Sequence, residues 1–210
     1  MSRGCFVVLE GPEGAGKTTL ASGLAARLRE RGVDPVVVRQ PGGTPLAEAL
    51  RQEVLESDRS WTPERELLYL VTARAEVVSQ VIQPALDAGR LVISDRHDLS
   101  TRAYQGVARG VAEEKVDWLL RAANGDLQPD LTLILDLPPE AGTSRLDETG
   151  RARNRLDKER IEFHRVVARR YLAEQGPAVR HLDASQPAER VLEQAWAELR
   201  NHRPDLVPPA

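Results

Sequence analysis

The chain carries one cysteine, Cys5, in 210 residues. A single thiol excludes an intrachain disulfide framework and any metal site built on several cysteines. No apolar run approaches the roughly 18 residues that a membrane-spanning helix needs, so no membrane partner is expected. Surplus positive charge is absent too: 29 basic and 32 acidic residues leave a formal net charge of −3. A bulk nucleic-acid binder carries a basic excess, so no nucleic-acid partner is expected. Small anionic ligands need only local positive charge and stay open. Lysine is scarce, with Lys17, Lys115 and Lys158 the only ones among 29 basic residues. No internal repeat or low-complexity segment is present. The opening Met1-Ser2-Arg3-Gly4 runs straight into a strand pattern, so no secretory leader is expected and a cytoplasmic address is the simplest reading. At roughly 100–200 residues per domain, one domain is expected.

What is there is an alternation of short apolar runs and helical spacing. Cys5-Phe6-Val7-Val8-Leu9, Pro35-Val36-Val37-Val38, Leu91-Val92-Ile93-Ser94, Leu131-Thr132-Leu133-Ile134-Leu135 and a short run at 178–182 read as strands. Helices are expected over about 17–31, 45–56, 63–88, 112–123, 139–146, up to about 173, and 187–201, with Gly32 and Gly89 as stops. Thr44 followed by Pro45, and Pro63, mark helix starts. A polar stretch with Gly106 and Gly110 precedes the helix at 112, and residues 147–156 are polar and loop-like. Strands alternating with helices argue a parallel sheet covered on both faces. Such sheets bind ligands at the carboxyl ends of their strands.

Gly11-Pro12-Glu13-Gly14-Ala15-Gly16-Lys17-Thr18 satisfies G-x-x-x-x-G-K-[ST], with a buried strand before it and a helical pattern after it. Glycines let the backbone curl so that its N–H groups converge into an anion nest. The helix N-terminus beside them adds positive potential. Lys17 is positioned for the terminal phosphates of a nucleoside triphosphate, and the Thr18 hydroxyl for its Mg²⁺. A GTPase would need a guanine-reading Asn-Lys-x-Asp segment, which is missing. Instead Asp95-Arg96 follows the third strand, an acid suited to Mg²⁺ and an arginine suited to a second phosphate. Arg39, ending the second strand, is a further phosphate clamp.

Gly11 to Thr19, Arg39-Gln40-Pro41-Gly42-Gly43-Thr44, Asp95-Arg96-His97-Asp98-Leu99-Ser100-Thr101 and Ala103-Tyr104-Gln105-Gly106 together resemble the bacterial thymidylate kinase family, from about residue 5 to 200. The resemblance implies an α/β P-loop NTPase fold with a five-stranded parallel sheet, a homodimer, and transfer of the ATP γ-phosphate to dTMP, giving dTDP. It implies that Gly11 to Thr19 bind ATP and that Glu13 lies near the acceptor. It assigns Arg39 and Arg96 to the acceptor phosphate, Asp95 and Thr18 to Mg²⁺, and Arg74 to a thymine carbonyl. Thr101 falls at the base and Tyr104 at the sugar 2′ position, with Gln105 beside it in the acceptor site. Residues 147–156 match the family's lid, offering Arg151, Arg153 and Arg155 to the migrating phosphoryl group.

Two residues depart from the family pattern. Gln40 stands where a Glu is usual, which removes a negative charge close to Arg39. Leu70 stands where a Phe stacks on thymine, and Tyr69 lies about 100° around the helix. His97 and His164 read as non-catalytic, and Trp61, Trp118 and Trp196 as packing residues. The expectation is a single kinase domain over 1–202, with an unordered tail at 203–210. The alternatives are a kinase for another nucleoside monophosphate and a non-catalytic nucleotide-binding protein on the same fold.

Overall fold

The computed structural model describes residues 4–57, 59–150 and 152–204. Five parallel strands, β1 (Cys5–Glu10), β2 (Val36–Arg39), β3 (Leu91–Asp95), β4 (Leu131–Asp136) and β5 (Val179–Asp183), lie in the order β2-β3-β1-β4-β5. β1 and β3 are buried at every position, which is why they read as unbroken apolar runs rather than alternating ones. The register sets Leu9 and Arg39 on either side of Asp95. The carboxyl ends of β2, β3 and β1 therefore share one edge.

Helices cover both faces. On one face α1 (Lys17–Arg29) and α9 (Ala188–His202) pack Leu20, Leu24, Leu28, Trp196 and Leu199 against the sheet. On the other lies a long helical stretch. It comprises α3 (Pro63–Val77), a π-helical turn Val78–Ile82 and α4 (Gln83–Asp87). The sequence predicts one uninterrupted helix over 63–88. Pro84 explains the break, since its ring lacks an N–H and crowds the carbonyl four residues back. The widened turn just before it accommodates both. The expected caps are present: Thr44 accepts from the Ala47 N–H at the start of α2 (Pro45–Glu56), and Thr62 from the Arg65 N–H ahead of Pro63.

The polar stretch after β3 is itself helical, as α5 (Asp98–Thr101) and a π-helical turn Arg102–Ala108. Thr101, Tyr104 and Gln105 are spaced so that one face carries all three, and all are buried. Gly106 and Gly110 hide that face in the sequence. α6 (Glu113–Asn124) buries Val116, Leu120 and Asn124 at four-residue intervals, which turns Trp118 outward. Trp118 is 64% exposed and is not the packing residue expected. Trp61 and Trp196 do pack, the first edge-on against Tyr69, the second beneath Arg27 and Arg31. α7 (Pro139–Glu148) and α8 (Ile161–Leu172) flank the expected lid. Among the described residues no helix is long and apolar enough to cross a membrane.

Candidate active site

The phosphate loop leaves β1 at Glu10 and turns into α1 at Lys17. Its glycines are required by space as well as by conformation. Gly14 has φ 74°, and a Cβ there would lie 2.3 Å from the Gly142 carbonyl oxygen of α7. The Lys17 ammonium donates to the carbonyls of Gly11 (2.9 Å) and Pro12 (2.7 Å). Gly11 and Pro12 thus hold Lys17 from behind, and the cavity lining begins at Glu13. Burial, helped by the Arg96 charge, lowers the Lys17 pKa to about 8 against the pull of Glu13, Asp95 and Glu10. The Thr18 hydroxyl donates to Asp95 Oδ2 at 2.6 Å, joining two groups that lie far apart in the sequence.

Arg96 follows β3 with φ 75°, a left-handed conformation uncommon for a side chain of this size and worth about 1–3 kcal/mol of strain. The surrounding contacts hold it there. Its guanidinium donates to Glu13 Oε1 (2.8 Å), the Gly11 carbonyl (3.2 Å), Ser100 Oγ (3.0 Å) and the Tyr171 hydroxyl (3.1 Å), and lies over the Tyr104 ring. Burial opposes its charge, but Glu13, Tyr104 and Tyr171 outweigh burial and raise its pKa well above the ordinary value. The Tyr104 hydroxyl donates to the same Glu13 oxygen at 3.2 Å.

Beneath this layer lies Glu10, which sequence reasoning missed although an acid closing an apolar strand is a visible signal. It is fully buried and accepts from the His97 and Ser100 N–H groups, Ser100 Oγ and the Tyr171 hydroxyl. Burial raises its pKa despite these donors.

Arg39 is half-exposed and bound by both oxygens of Glu48, at 3.0 and 3.1 Å. Gln40 has turned inward, where its amide meets Ser94 Oγ (3.0 Å) and His97 Nδ1 (3.1 Å). The charge lost at Gln40 is therefore not missed by Arg39, because Glu48 orients it from α2. Arg51 of α2 joins the same wall, tied to the Pro41 carbonyl at 2.9 Å.

Arg74 is buried at 5% exposure. It donates to Asp98 Oδ1 (2.8 Å), Thr101 Oγ1 (2.8 Å), the His97 carbonyl (3.0 Å) and His97 Nδ1 (2.9 Å). Burial lowers its pKa, and Asp98 and Glu10 work against that shift. Two donors, Arg74 and the Gln40 amide, face His97 Nδ1, so the ring proton belongs on Nε2. Burial and the neighbouring Arg74 charge depress the His97 pKa to about 3, against the opposing pull of Asp98, and the ring is neutral. His97 is thus a buried, neutral group held between Arg74 and Gln40.

A single cavity of about 1200 Å³ joins these parts. Glu13 to Thr19, Asp95, Arg96 and Arg39 line it, together with Leu70, Arg74, Thr101, Tyr104 and Gln105. Its far end runs along Ser185 to Leu192, past Gly23 and Thr19. Leu70 keeps its place on the wall, and Tyr69 packs outward on Trp61, so it does not replace the missing ring.

Of the three arginines expected in the lid, neither Arg153 nor Arg155 lines the cavity, and Arg151 lies outside the described residues. Arg153 pairs with Asp147 at 2.6 Å on the surface. Arg155 is drawn away by the buried carboxylate of Glu66, at 2.5 Å, and by the Val54 carbonyl. Arg145 of α7 lines the cavity instead, unnoticed because nothing in its local pattern marks it.

Fold and site together define an α/β P-loop nucleotide-binding protein whose phosphate loop faces a second, arginine-rich pocket. A family model for thymidylate kinase matches residues 9–195. The chain is 47% identical over 192 residues to a thymidylate kinase of Pseudomonas putida, covering 90% of this chain and 91% of the relative. It is 47% identical over 195 residues to one from Thermomicrobium roseum (91% and 92% covered). Against one from Halorhodospira halophila it is 43% identical over 211 residues (98% and 96% covered). The chain belongs to the thymidylate kinase family.

Proposed function

We propose that the chain transfers the γ-phosphoryl group of ATP to dTMP, giving dTDP and ADP. The observation that carries this reading is the shared cavity: a phosphate nest on one side, and Arg39, Arg51 and Arg96 with the wall of Leu70, Arg74, Thr101 and Tyr104 on the other. Family membership favours it over a kinase for another monophosphate, which Leu70 alone suggested, and over a non-catalytic binder.

Phosphoryl transfer leaves little covalent work for protein, so catalysis rests on positioning and charge. The loop from Glu13 to Thr19 holds the donor phosphates, with Lys17 supplying positive charge. Arg39, Arg51 and Arg96 hold the acceptor phosphate, whose oxygen attacks directly without a protein nucleophile. Glu13 and Tyr104 fix Arg96, and the Tyr104 ring crowds the sugar. Leu70 covers the base face while Arg74, Thr101 and Gln105 read its edge. Arg145, Arg151 and Arg153 are the lid-side cations; Arg155 is an anchor. Mg²⁺ fits the donor set, since a hydroxyl and a carboxylate in contact are the hard oxygen ligands it takes, its remaining places filled by phosphate and water. Thr18 and Asp95 would hold it, and it would neutralise developing charge on the phosphates.

The kinase domain covers 1–202, with the lid at about 147–156; of the tail, 205–210 lie outside the described residues. We propose a homodimer working in the cytoplasm. Exposed Leu68 and Trp118 on the packed pair α3 and α6 support the dimer. The test is a coupled assay with ATP and Mg²⁺ across dTMP, TMP, dUMP, dCMP, dGMP and AMP. Preferred turnover of dTMP is expected, and preference for a purine monophosphate overturns the reading.

A further inference from the structure

Glu66 of α3 is 1% exposed and has no role in the scheme above. Its carboxylate gathers donors from three segments. Oε1 accepts from Gln105 Nε2 at 2.7 Å and Arg109 Nε at 3.5 Å. Oε2 lies 2.5 Å from Arg155 Nη2 and 3.4 Å from Arg109 Nη2. A carboxylate only accepts, whereas a glutamine amide can present either end. At this contact Gln105 has no choice: its NH₂ group must face Glu66 and its oxygen must face elsewhere. Among the described residues Gln105 Oε1 has no hydrogen-bond partner, and Gln105 lines the cavity beside Leu70 and Thr101.

We propose that Glu66 is a positioning residue that locks the Gln105 amide with its oxygen toward the acceptor cavity, and that this selects bases with an imide edge, thymine or uracil, over cytosine. The inference rests on the reading of this wall as the acceptor-base site. An acceptor fixed at this place matches the ring N–H that thymine and uracil carry between their carbonyls. Cytosine offers a bare ring nitrogen there, so acceptor meets acceptor. A freely turning amide would swing its NH₂ group to that nitrogen and relieve the mismatch. The carboxylate of Glu66 forbids the turn. Buried polar sites discriminate strongly because a mismatch leaves groups unpaired.

The test measures dissociation constants of dTMP and dCMP by calorimetry for the wild type, Glu66→Gln and Arg109→Gln. In Glu66→Gln the partner can itself donate or accept, so Gln105 is free to flip. The preference for dTMP over dCMP should narrow about tenfold, mainly through tighter dCMP binding. Arg109→Gln, which touches the same carboxylate but not the orientation of Gln105, should keep the wild-type ratio. A ratio within threefold of the wild type in folded Glu66→Gln overturns the proposal, as does equal weakening of both nucleotides, the mark of a merely structural role. Should Glu66→Gln not fold, Glu66→Asp carries the same expectation, because it keeps the charge but withdraws it from Gln105. In the wild type, the Gln105 side-chain amide, assigned in NMR spectra by its loss in Gln105→Leu, should be protected from hydrogen exchange with and without dTMP. Exchange at the rate of a free amide overturns the proposal. Absence of dTMP binding by the wild type instead refutes the proposed function, and the exchange measurement still decides the orientation of Gln105.

Discussion

Lys17 and Thr18 reach their positions within one turn of chain, on a loop whose glycines and helix start are contiguous. Arg74, Thr101 and Gln105 reach theirs only because α3 packs beside the π-helical segment after β3. The donor side is thus a local motif with backbone ligands, and the acceptor side is a web of buried side chains. Asp98, itself fixed by the Asn124 amide, holds Arg74, Glu66 holds Gln105, and Glu48 holds Arg39. The difference teaches where substitutions act. On the donor side a lost residue removes charge from the reaction. On the acceptor side it also disturbs neighbours, because buried polar groups left unpaired are costly.

The sharpest contrast is expected from Lys17→Ala. It should lower kcat at least about a hundredfold with little change in Tm, since it removes transition-state charge rather than packing. Full activity would break the donor assignment. Arg155→Ala should behave in the opposite way. It leaves Glu66 short of a cation and should cost about 1–3 kcal/mol, a fall in Tm of several degrees. Arg153→Ala, which removes only a surface pair with Asp147, should leave Tm within about a degree. A larger thermal loss for Arg153→Ala than for Arg155→Ala would reverse the assignment of anchor and lid.

The His97 pKa gives the acceptor side a pH signature. Its folded value of about 3 lies below the ordinary 6.5. The unfolded chain therefore takes up the proton first, and stability falls as pH drops through 6.5 toward 3, at about 1.4 kcal/mol per pH unit between the two values. Above 6.5 the effect is absent. Thermal melts from pH 7 to 4 should show this slope in the wild type and lose it in His97→Asn. The difference between the two isolates His97 from Glu10, whose raised pKa works in the other direction. Gln40→Glu should place a carboxylate against His97 Nδ1, raise the histidine pKa and flatten the same slope.

Smaller effects should come from the substrate-facing surfaces. Tyr104→Ala should narrow the preference for dTMP over its ribose counterpart, read as a ratio of kcat/KM values. Equal use of both sugars by the wild type would refute the sugar-facing role of Tyr104. The smallest shift is expected for Leu70→Phe. Stacking an aromatic ring on a base contributes roughly 1–3 kcal/mol, and Leu70 already supplies apolar cover. The gain should be about two- to tenfold in dTMP affinity, seen as a lower KM with little change in kcat. Loss of activity would mean that the pocket has been rebuilt around leucine.

The sequence by itself determined the sheet, the phosphate loop and most of the cavity wall. Short apolar runs of four or five residues between helical patterns read as buried strands, which located β1 to β4. A G-x-x-x-x-G-K-T turn carries its function in consecutive backbone groups, so it survives reading in one dimension. Tertiary structure alone decided which partner each charged side chain received. Arg155 and Arg153 look equivalent two residues apart, yet one is drawn inward by Glu66 and the other stays on the surface. Gln40 turned inward to His97, and Glu48 took over Arg39 from a different helix. The helix carrying Thr101, Tyr104 and Gln105 was hidden by glycines that a π-helical turn accommodates. The physical reason is common to all of these. Backbone motifs are set by local conformation, whereas a buried charge takes the nearest opposite charge in space, and that distance exists only after the chain has folded.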